Sequence, residues 1–521
     1  MPVQAVPRLV RLPCAKERWF AAAGLAAVVV LAILLRVVPT VLMPSAVWPD
    51  EIFQASEQAH RLVYGSGLIP WEFQFGARSW LLPGVIAVLM ELARIAGDGP
   101  DYYLPLIAIA FAGLAALPVA CCFLWCRRLF GFSGAVVAGM AVATAPELVY
   151  FGARTLSEVA AGHLLLLGIY VLQPGYRVTS QRRLFVGGAL LGFVLVVRVQ
   201  LAPALLIVAL WTNWRRACEC APAMLAGSAA ALSVAGILDA VTLGYPLASM
   251  WRYVVYNLYY GASATFGVEP WHYYLRGELG VWGGAAPSLL LLVILGARWA
   301  PLLLAAAVTI IAVHSGIGHK EYRFIYPAVL LAFVLAGIGL AQLASWGRRF
   351  LERGRGRQFA ALASAAFVLA YWCLASHGVW KSGTLTALRY RTYDNLTAAS
   401  FVAHGPGTCG IGLYGADGND WADSGGYTYF HQPAPLYWPR DEAVLIGTAE
   451  GFDTLVYTRP PPPSLGFTPL RCFGLVCVAR RHGGCHPVTQ MPMPVPDALA
   501  QLSAVRTAGS EAPKSGGDFG Q

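Results

Sequence analysis

Asp50 and Glu51 follow Pro49 directly and stand between a long apolar run and a second apolar block, so two neighbouring carboxylates are held at the edge of a membrane. A carboxylate so placed is suited to take a proton or to bind a cation or hydroxyl. Acids in the first turn after a helix-initiating proline are also what the helix dipole favours without any chemistry. Adjacent residues on a helix point about 100° apart, so the two acids cannot face one reacting atom. That argues against a glycosidase pair, whose carboxyls flank a bond from opposite sides.

A second concentration of charge, His319-Lys320-Glu321-Tyr322-Arg323, stands immediately before the apolar stretch 324–345. At that depth it meets a lipid phosphate, or it is an interfacial anchor with snorkelling cations. Lys320 and Arg323 are the candidate phosphate ligands, with His319 as a hydrogen-bonding neighbour. Arg78, Arg154 and Arg198 are secondary candidates for the same anion. Trp271 and His272 belong to an aromatic loop suited either to stacking on sugar faces or to an interfacial belt. Asp50, Glu51 and Asp239 are the acids that a divalent ion would use, but their spacing carries no ligand signature, and no metal or other cofactor is expected. There is no Walker loop, dinucleotide fingerprint or HExxH pattern.

These residues need a frame, and composition points to a membrane. Hydrophobic residues make up 57% and charged residues 12%, with a mean hydropathy of +0.58. A soluble globule does not hide so much apolar surface. The net charge of +10 does not imply nucleic acid, because Arg clusters between apolar runs, as the positive-inside rule requires. Stretches suited to crossing lie at 19–42, 103–125, 131–151, 157–172, 184–197, 201–214, 221–243, 279–297, 301–316, 324–345 and 359–377. The first, preceded by Arg8, Arg11, Lys16 and Arg18, exceeds the ~20 residues a span needs and reads as an uncleaved helix.

Arg127-Arg128, Arg177, Arg182-Arg183, Arg215-Arg216, Arg298 and the 348–357 cluster then fall on the cytoplasmic side with the N-terminus. Asp50, Glu51, Arg154, Glu158, Arg198, Asp239, Glu269 and residues 319–323 fall on the other side, as does everything after Lys381. Residues 49–63 read as an amphipathic surface helix, with Glu51, Gln54, Gln58 and Arg61 opposite Ile52, Phe53, Ala59, Leu62 and Val63. A second surface helix is expected at 80–96.

The motifs carry a resemblance. Pro49-Asp50-Glu51-Ile52-Phe53-Gln54 resembles the His-Pro-Asp-Glu-x-Phe-Gln signature of the dolichol-phosphate-mannose-dependent mannosyltransferases, with Trp48 where many members have His. Further matches follow in order: Arg154-Thr155-Leu156-Ser157, Asp239, Tyr256-Asn257, 266–274, His319 to Phe324 with the family's His-Lys-Glu-x-Arg-Phe pattern, and Gly425-Gly426-Tyr427. The resemblance implies a polytopic helical membrane protein of C-type glycosyltransferase architecture, with about eleven spans. The implied reaction is inverting transfer of mannose from a polyprenyl-phosphate carrier to a glycan or glycolipid acceptor. Asp50 becomes the general base. Glu51 is left to acceptor hydrogen bonding, to orienting a basic partner, or to a structural ion pair. Glu72, Asp239, Trp271 and His272 are candidates for binding sugar or acceptor. A transporter is the competing class, and transporters often show internal repeats, which are not seen here.

The expected organisation is a catalytic membrane domain over 1–378 with its first outer loop at 43–102, a small mixed α/β domain over 379–495, and a disordered tail over 496–521. In the outer domain 443–446, 454–457 and 475–478 read as strands, and 460–463 as a polyproline connector. Cys409, Cys472, Cys477 and Cys485 lie in this exported part and permit three disulfide pairings.

Overall fold

The computed structural model describes residues 15–172, 180–214, 217–352, 356–415 and 420–500. Arg8, Arg11, Arg177, Arg215, Arg216, Arg353, Arg355 and positions 501–521 of the expected tail lie outside them.

Apolar helices follow the expected spans closely. Ala15–Leu42, Pro100–Thr144, Ala217–Leu243, Tyr326–Leu351 and Arg357–Trp380 are long enough to cross a bilayer, as are Tyr273–Trp282 and Ala286–Ala297 taken together. Ser157–Leu172, Gln181–Val197, Ala202–Asn213 and Pro301–Gly316 are shorter apolar helices. Pro100–Thr144 holds two spans: at Gly131 the backbone adopts φ 80°, and Gly139 packs back against Phe123. An L residue is strained at that φ, so glycine permits the reversal.

Tyr326–Leu351 is the central column, with 89% of its apolar window enclosed by protein. Close approach makes this possible: a Cβ on Gly296 would fall on the Leu335 carbonyl, and one on Gly339 on that of Leu292. Small residues let two helix backbones meet where lipid supplies no hydrophobic drive. Leu81–Ala93, at 13 residues and about 1.5 Å per residue, is too short to cross. It packs through Ile86 and Met90 against Ala59, Tyr103 and Ile107.

The C-terminal domain is built on one sheet, in the order β2-β1-β3-β5-β4. β1 (Ile411–Tyr414) lies between β2 (Leu436–Tyr437) and β3 (Thr454–Tyr457), parallel to both. The antiparallel hairpin of β4 (Thr468–Phe473) and β5 (Val476–Arg480) completes it. Helix Tyr393–Ala403 covers one face, with Ala398, Ala399 and Val402 on Ile411, Leu413, Val456 and Val478. Residues 443–446 are not a strand but part of helix Glu442–Thr448, whose N-cap Asp441 accepts from the Val444 N–H at 2.8 Å. The cap decides what a short apolar run leaves ambiguous. The disulfides are Cys409–Cys485 and Cys472–Cys477. Within the stretch expected as a tail, Leu499 is buried against the cluster of Trp71, Phe75 and Ala262.

The largest departure concerns 49–64. The segment is helical throughout, but Ile52–Ser56 forms a π turn between Pro49–Glu51 and Glu57–Tyr64. Such an insertion re-aims the side chains that follow it. Glu51, Glu57, Gln58 and His60 are buried in protein, whereas Leu62 is exposed. The polar face turns inward, so the helix does not lie polar side out on a bilayer. Glu57 shows why: its carboxylate accepts from Leu68 N, Tyr427 N, Thr428 N and Thr428 Oγ1, all at 2.8–3.0 Å. These bonds tie the 49–68 segment to the C-terminal domain. Gly425 and Gly426 adopt φ 78° and 57°, and a Cβ on Gly426 would stand 2.7 Å from the Glu57 carboxylate. The Gly-Gly-Tyr motif therefore forms a cradle for a buried acid.

Candidate active site

Trp48 caps the helix in an extended conformation, Pro49 opens it, and Asp50 and Glu51 fill the first turn. The Trp48 ring stacks on Phe151 at 5.3 Å. From this start the two acids diverge. Asp50 lines a narrow cavity of about 50 Å³ with Arg78, Glu158, Tyr253 and Arg323. Glu51 lines a separate cavity of about 340 Å³ with Arg154, Tyr393, Thr397 and Tyr429. Thr155 borders both, and its Oγ1 donates to the Glu51 carbonyl at 2.8 Å.

Arg323 is the hub of the first cavity. Its Nη2 donates to Asp50 Oδ2 at 2.5 Å and its Nη1 to Glu158 Oε1 at 2.8 Å. Its Nε and Nη2 reach the two oxygens of Glu321 at 2.8 and 3.0 Å. Arg198 lies 3.0 Å from the same Glu158 oxygen, behind the cavity wall. Asp50 keeps 28% of its side chain exposed against 1% for Glu158, so Asp50 is the accessible acid. Burial alone would raise the Glu321 carboxyl, but Arg323 and His319 outweigh it and hold it well below the usual range. His319 bonds Glu321 at 3.2 Å and the Gly267 carbonyl at 3.0 Å. Tyr322 is fixed by its hydroxyl on Glu147, whose other oxygen accepts from the Trp282 indole at 2.9 Å.

Arg78 is in a different state. It stacks over Tyr253 at 5.2 Å, and its Nε is buried with no hydrogen-bond partner. Glu72 stands behind it, accepting from Gln54 Nε2 at 2.6 Å. Burial pushes Glu72 up to about 7, helped by the nearby Asp50 charge and opposed by Arg78.

Lys320 does not face the cavity. Its ammonium donates to the backbone carbonyls of Glu269 at 2.7 Å, Gly318 at 3.3 Å and Ile317. Three carbonyls occupy its three donors, so it closes the 317–320 turn onto the 266–270 loop. Asp239 accepts from Ser249 N at 2.9 Å and Ser249 Oγ at 2.6 Å. It braces the cavity wall from behind. Trp271 and His272 are exposed and line neither cavity. Asp50, Glu51 and Asp239 are not brought to one point.

In the second cavity Arg154 Nη1 lies 3.5 Å from Glu51 Oε1. Glu51 Oε2 is buried without a partner. Burial pushes Glu51 up to about 7, against the pull of Arg154 and Arg323. Glu158, Gln54, Tyr253 and Tyr429 were not among the site residues expected from sequence. Glu158, one charge in a helix of 16 residues otherwise apolar but for Ser157 and His163, was the available signal.

Asp50, partly exposed, and Arg78, whose Nε has no hydrogen-bond partner, thus line one cavity with Arg323. The Alg9-like mannosyltransferase model matches residues 27–390, and the chain belongs to that family. It is 24% identical over 344 residues to GPI alpha-1,2-mannosyltransferase 3 of Danio rerio, covering 61% of this chain and 60% of that protein. The mouse (Mus musculus) protein of the same name is 25% identical over 331 residues, covering 62% and 60%. The chain thus spans about 60% of the length of these curated relatives. The fold is that of the C-type glycosyltransferases. It is similar to ArnT from Cupriavidus metallidurans bound to undecaprenyl phosphate, with a TM-score of 0.59 and 15% identity over 91% of this chain and 100% of that one. For apo ArnT the TM-score is 0.53 at 16% identity.

Proposed function

We propose that the protein is a membrane mannosyltransferase that moves mannose from a polyprenyl-phosphate carrier to a hydroxyl of a glycan or glycolipid acceptor. The observation that carries this reading is Asp50, accessible at the cavity it shares with Arg78 and Arg323. The family and the fold agree with it: relatives are named as mannosyltransferases, and ArnT was solved with a polyprenyl phosphate. Asp50 Oδ2 is held by Arg323, which orients the carboxylate and leaves Oδ1 for the acceptor proton.

The acceptor oxygen attacks mannose C1 as the C1–O bond to phosphate breaks. The electron pair leaves on the phosphate oxygen, and the hydroxyl proton passes to Asp50. A single displacement inverts the anomeric centre. Polyprenyl phosphate is a weak base, so the chain needs no general acid. Arg78, which lines the cavity and stacks on Tyr253, is the first phosphate ligand, and Arg323 lends positive charge from the wall. The positive-inside pattern supports a cytoplasmic N-terminus, with the site and the outer domain on the extracytoplasmic side.

The test is Asp50→Asn, assayed with labelled polyprenyl-phosphate mannose. Turnover should fall about 10²- to 10⁴-fold, with donor affinity retained. Wild-type turnover in the folded variant removes Asp50 from the mechanism, and a carrier that crosses liposomes intact without sugar release replaces the enzyme by a transporter.

A further inference from the structure

We propose that the cavity bordered by Glu51 and Arg154 is the binding site for the acceptor's terminal sugar, with Glu51 as the residue that selects it. The inference rests on the mannosyl-transfer reading and adds where the acceptor sits. Size is the first argument. At about 340 Å³ this cavity is the roomier of the two and falls within the ~300–1,000 Å³ of small-molecule sites.

Its lining is the second argument. Glu51, Arg154, Thr155 and Thr397 offer donors and acceptors, while Tyr393 and Tyr429 contribute rings as well as hydroxyl groups. A sugar ring presents alternating hydroxyls and C–H faces, which such a mixed wall matches. The third is an unmet bond. Glu51 Oε2 is buried with no partner, and Oε1 meets Arg154 only at 3.5 Å. A buried polar atom left unpaired is costly, and a ligand hydroxyl relieves that cost.

Position completes the case. Thr155 borders both cavities, and Asp50 is the residue before Glu51. Thr155 is therefore the wall past which a sugar on Glu51 presents a hydroxyl to the base, while the donor phosphate sits beside Arg78 and Arg323. The cavity also takes its walls from distant parts of the chain: the end of the first span at 40–45, the 51–56 turn and the outer-domain helix at 393–400. Tyr393, Thr397 and Tyr429 of the outer domain form part of its wall, which gives that domain a part in acceptor choice.

The experiment uses the full chain in detergent, labelled polyprenyl-phosphate mannose as donor and octyl α-mannoside as the acceptor probe. Thr397→Trp fills the cavity from the outer domain, and Glu51→Gln alters the charge of the unpartnered group. Each should raise the acceptor KM about tenfold or more and leave the donor KM unchanged. If Glu51→Gln does not fold, Thr397→Trp decides alone. Probe binding without donor separates this inference from the reading it rests on. Binding that Thr397→Trp weakens, in a protein that transfers nothing, supports the site and sinks the transfer reading. Transfer in the wild type with acceptor KM and binding indifferent to the substitutions overturns the site and leaves the transfer reading standing.

Discussion

The cavity at Asp50 and the cavity at Glu51 share Thr155 and start from neighbouring acids, yet they are wired in opposite ways. At Asp50 one guanidinium serves three carboxylates at 2.5–3.0 Å. At Glu51 one guanidinium stands 3.5 Å from one carboxylate, and an oxygen is left over. The first arrangement is a rigid frame with its hub saturated, while Arg78 across the cavity stacks on Tyr253 with its Nε unpartnered. The second has open bonding capacity in a larger space. Equal charge in a motif thus says little about which groups remain available, because buried ions are consumed by their partners.

The strongest way to break this comparison is Arg323→Ala. It takes from Asp50 its guanidinium partner and leaves Glu158 only Arg198 and Glu321 only His319 as ion-pair partners, and losing one partner of a buried ionic network costs about 3–5 kcal/mol. The expected outcome is a lower unfolding temperature in detergent, beyond any loss of donor binding. If the variant melts like wild type and only donor affinity falls, Arg323 is a ligand cation and the contrast with Arg78 disappears.

Glu51 sharpens the other side through pH. Its folded pKa of about 7 is raised above the ordinary carboxyl value of 4.5. Its stabilising contribution is therefore fully present below pH 4.5 and lost as pH rises through about 7. The loss amounts to a value on the order of 3 kcal/mol. Glu72 shifts in the same direction, so the difference between wild type and Glu51→Gln isolates the Glu51 part. Stability curves of the two proteins that run parallel from pH 4.5 to 7.5 would show that Arg154 neutralises Glu51 fully.

A smaller effect is expected at Arg78. Arg78→Ala should weaken donor binding by about 1.5–3 kcal/mol and lower the unfolding temperature far less than Arg323→Ala, since the protein loses a stacking contact with Tyr253 and the Arg78 charge near Glu72 and Glu158. Lys320→Met is the control and should spare donor affinity, because the Lys320 ammonium is already taken by carbonyls. Equal donor losses in the two variants would return Lys320 to the phosphate.

Much of this frame was legible in the chain. The apolar runs located the helices, because a membrane span must satisfy its own backbone and its length is set by the bilayer. The 100° rule separated Asp50 from Glu51 before any coordinates, and the structure gives each its own cavity. Lys320 and Arg323 could not be told apart in the same way. Arg323 finds partners 165 and 273 residues away, whereas Lys320 closes on the adjacent turn and a loop 51 residues back. The inward polar face of 49–64 was equally hidden, since helical periodicity reports that two faces differ and not which one meets protein.

By itself, the sequence determined the membrane class, the approximate positions of the apolar helices, and the concentration of acids and arginines beside the spans. Those follow from hydropathy, proline and charge, which act within a few residues. Only the tertiary structure decided which arginine is saturated and which keeps an unpartnered Nε, why Gly426 must lack a side chain, how the cysteines pair, and that the C-terminal domain walls the Glu51 cavity. Each of these depends on groups tens to hundreds of residues apart. Their energies change within an ångström of separation, and only the packed chain sets that distance.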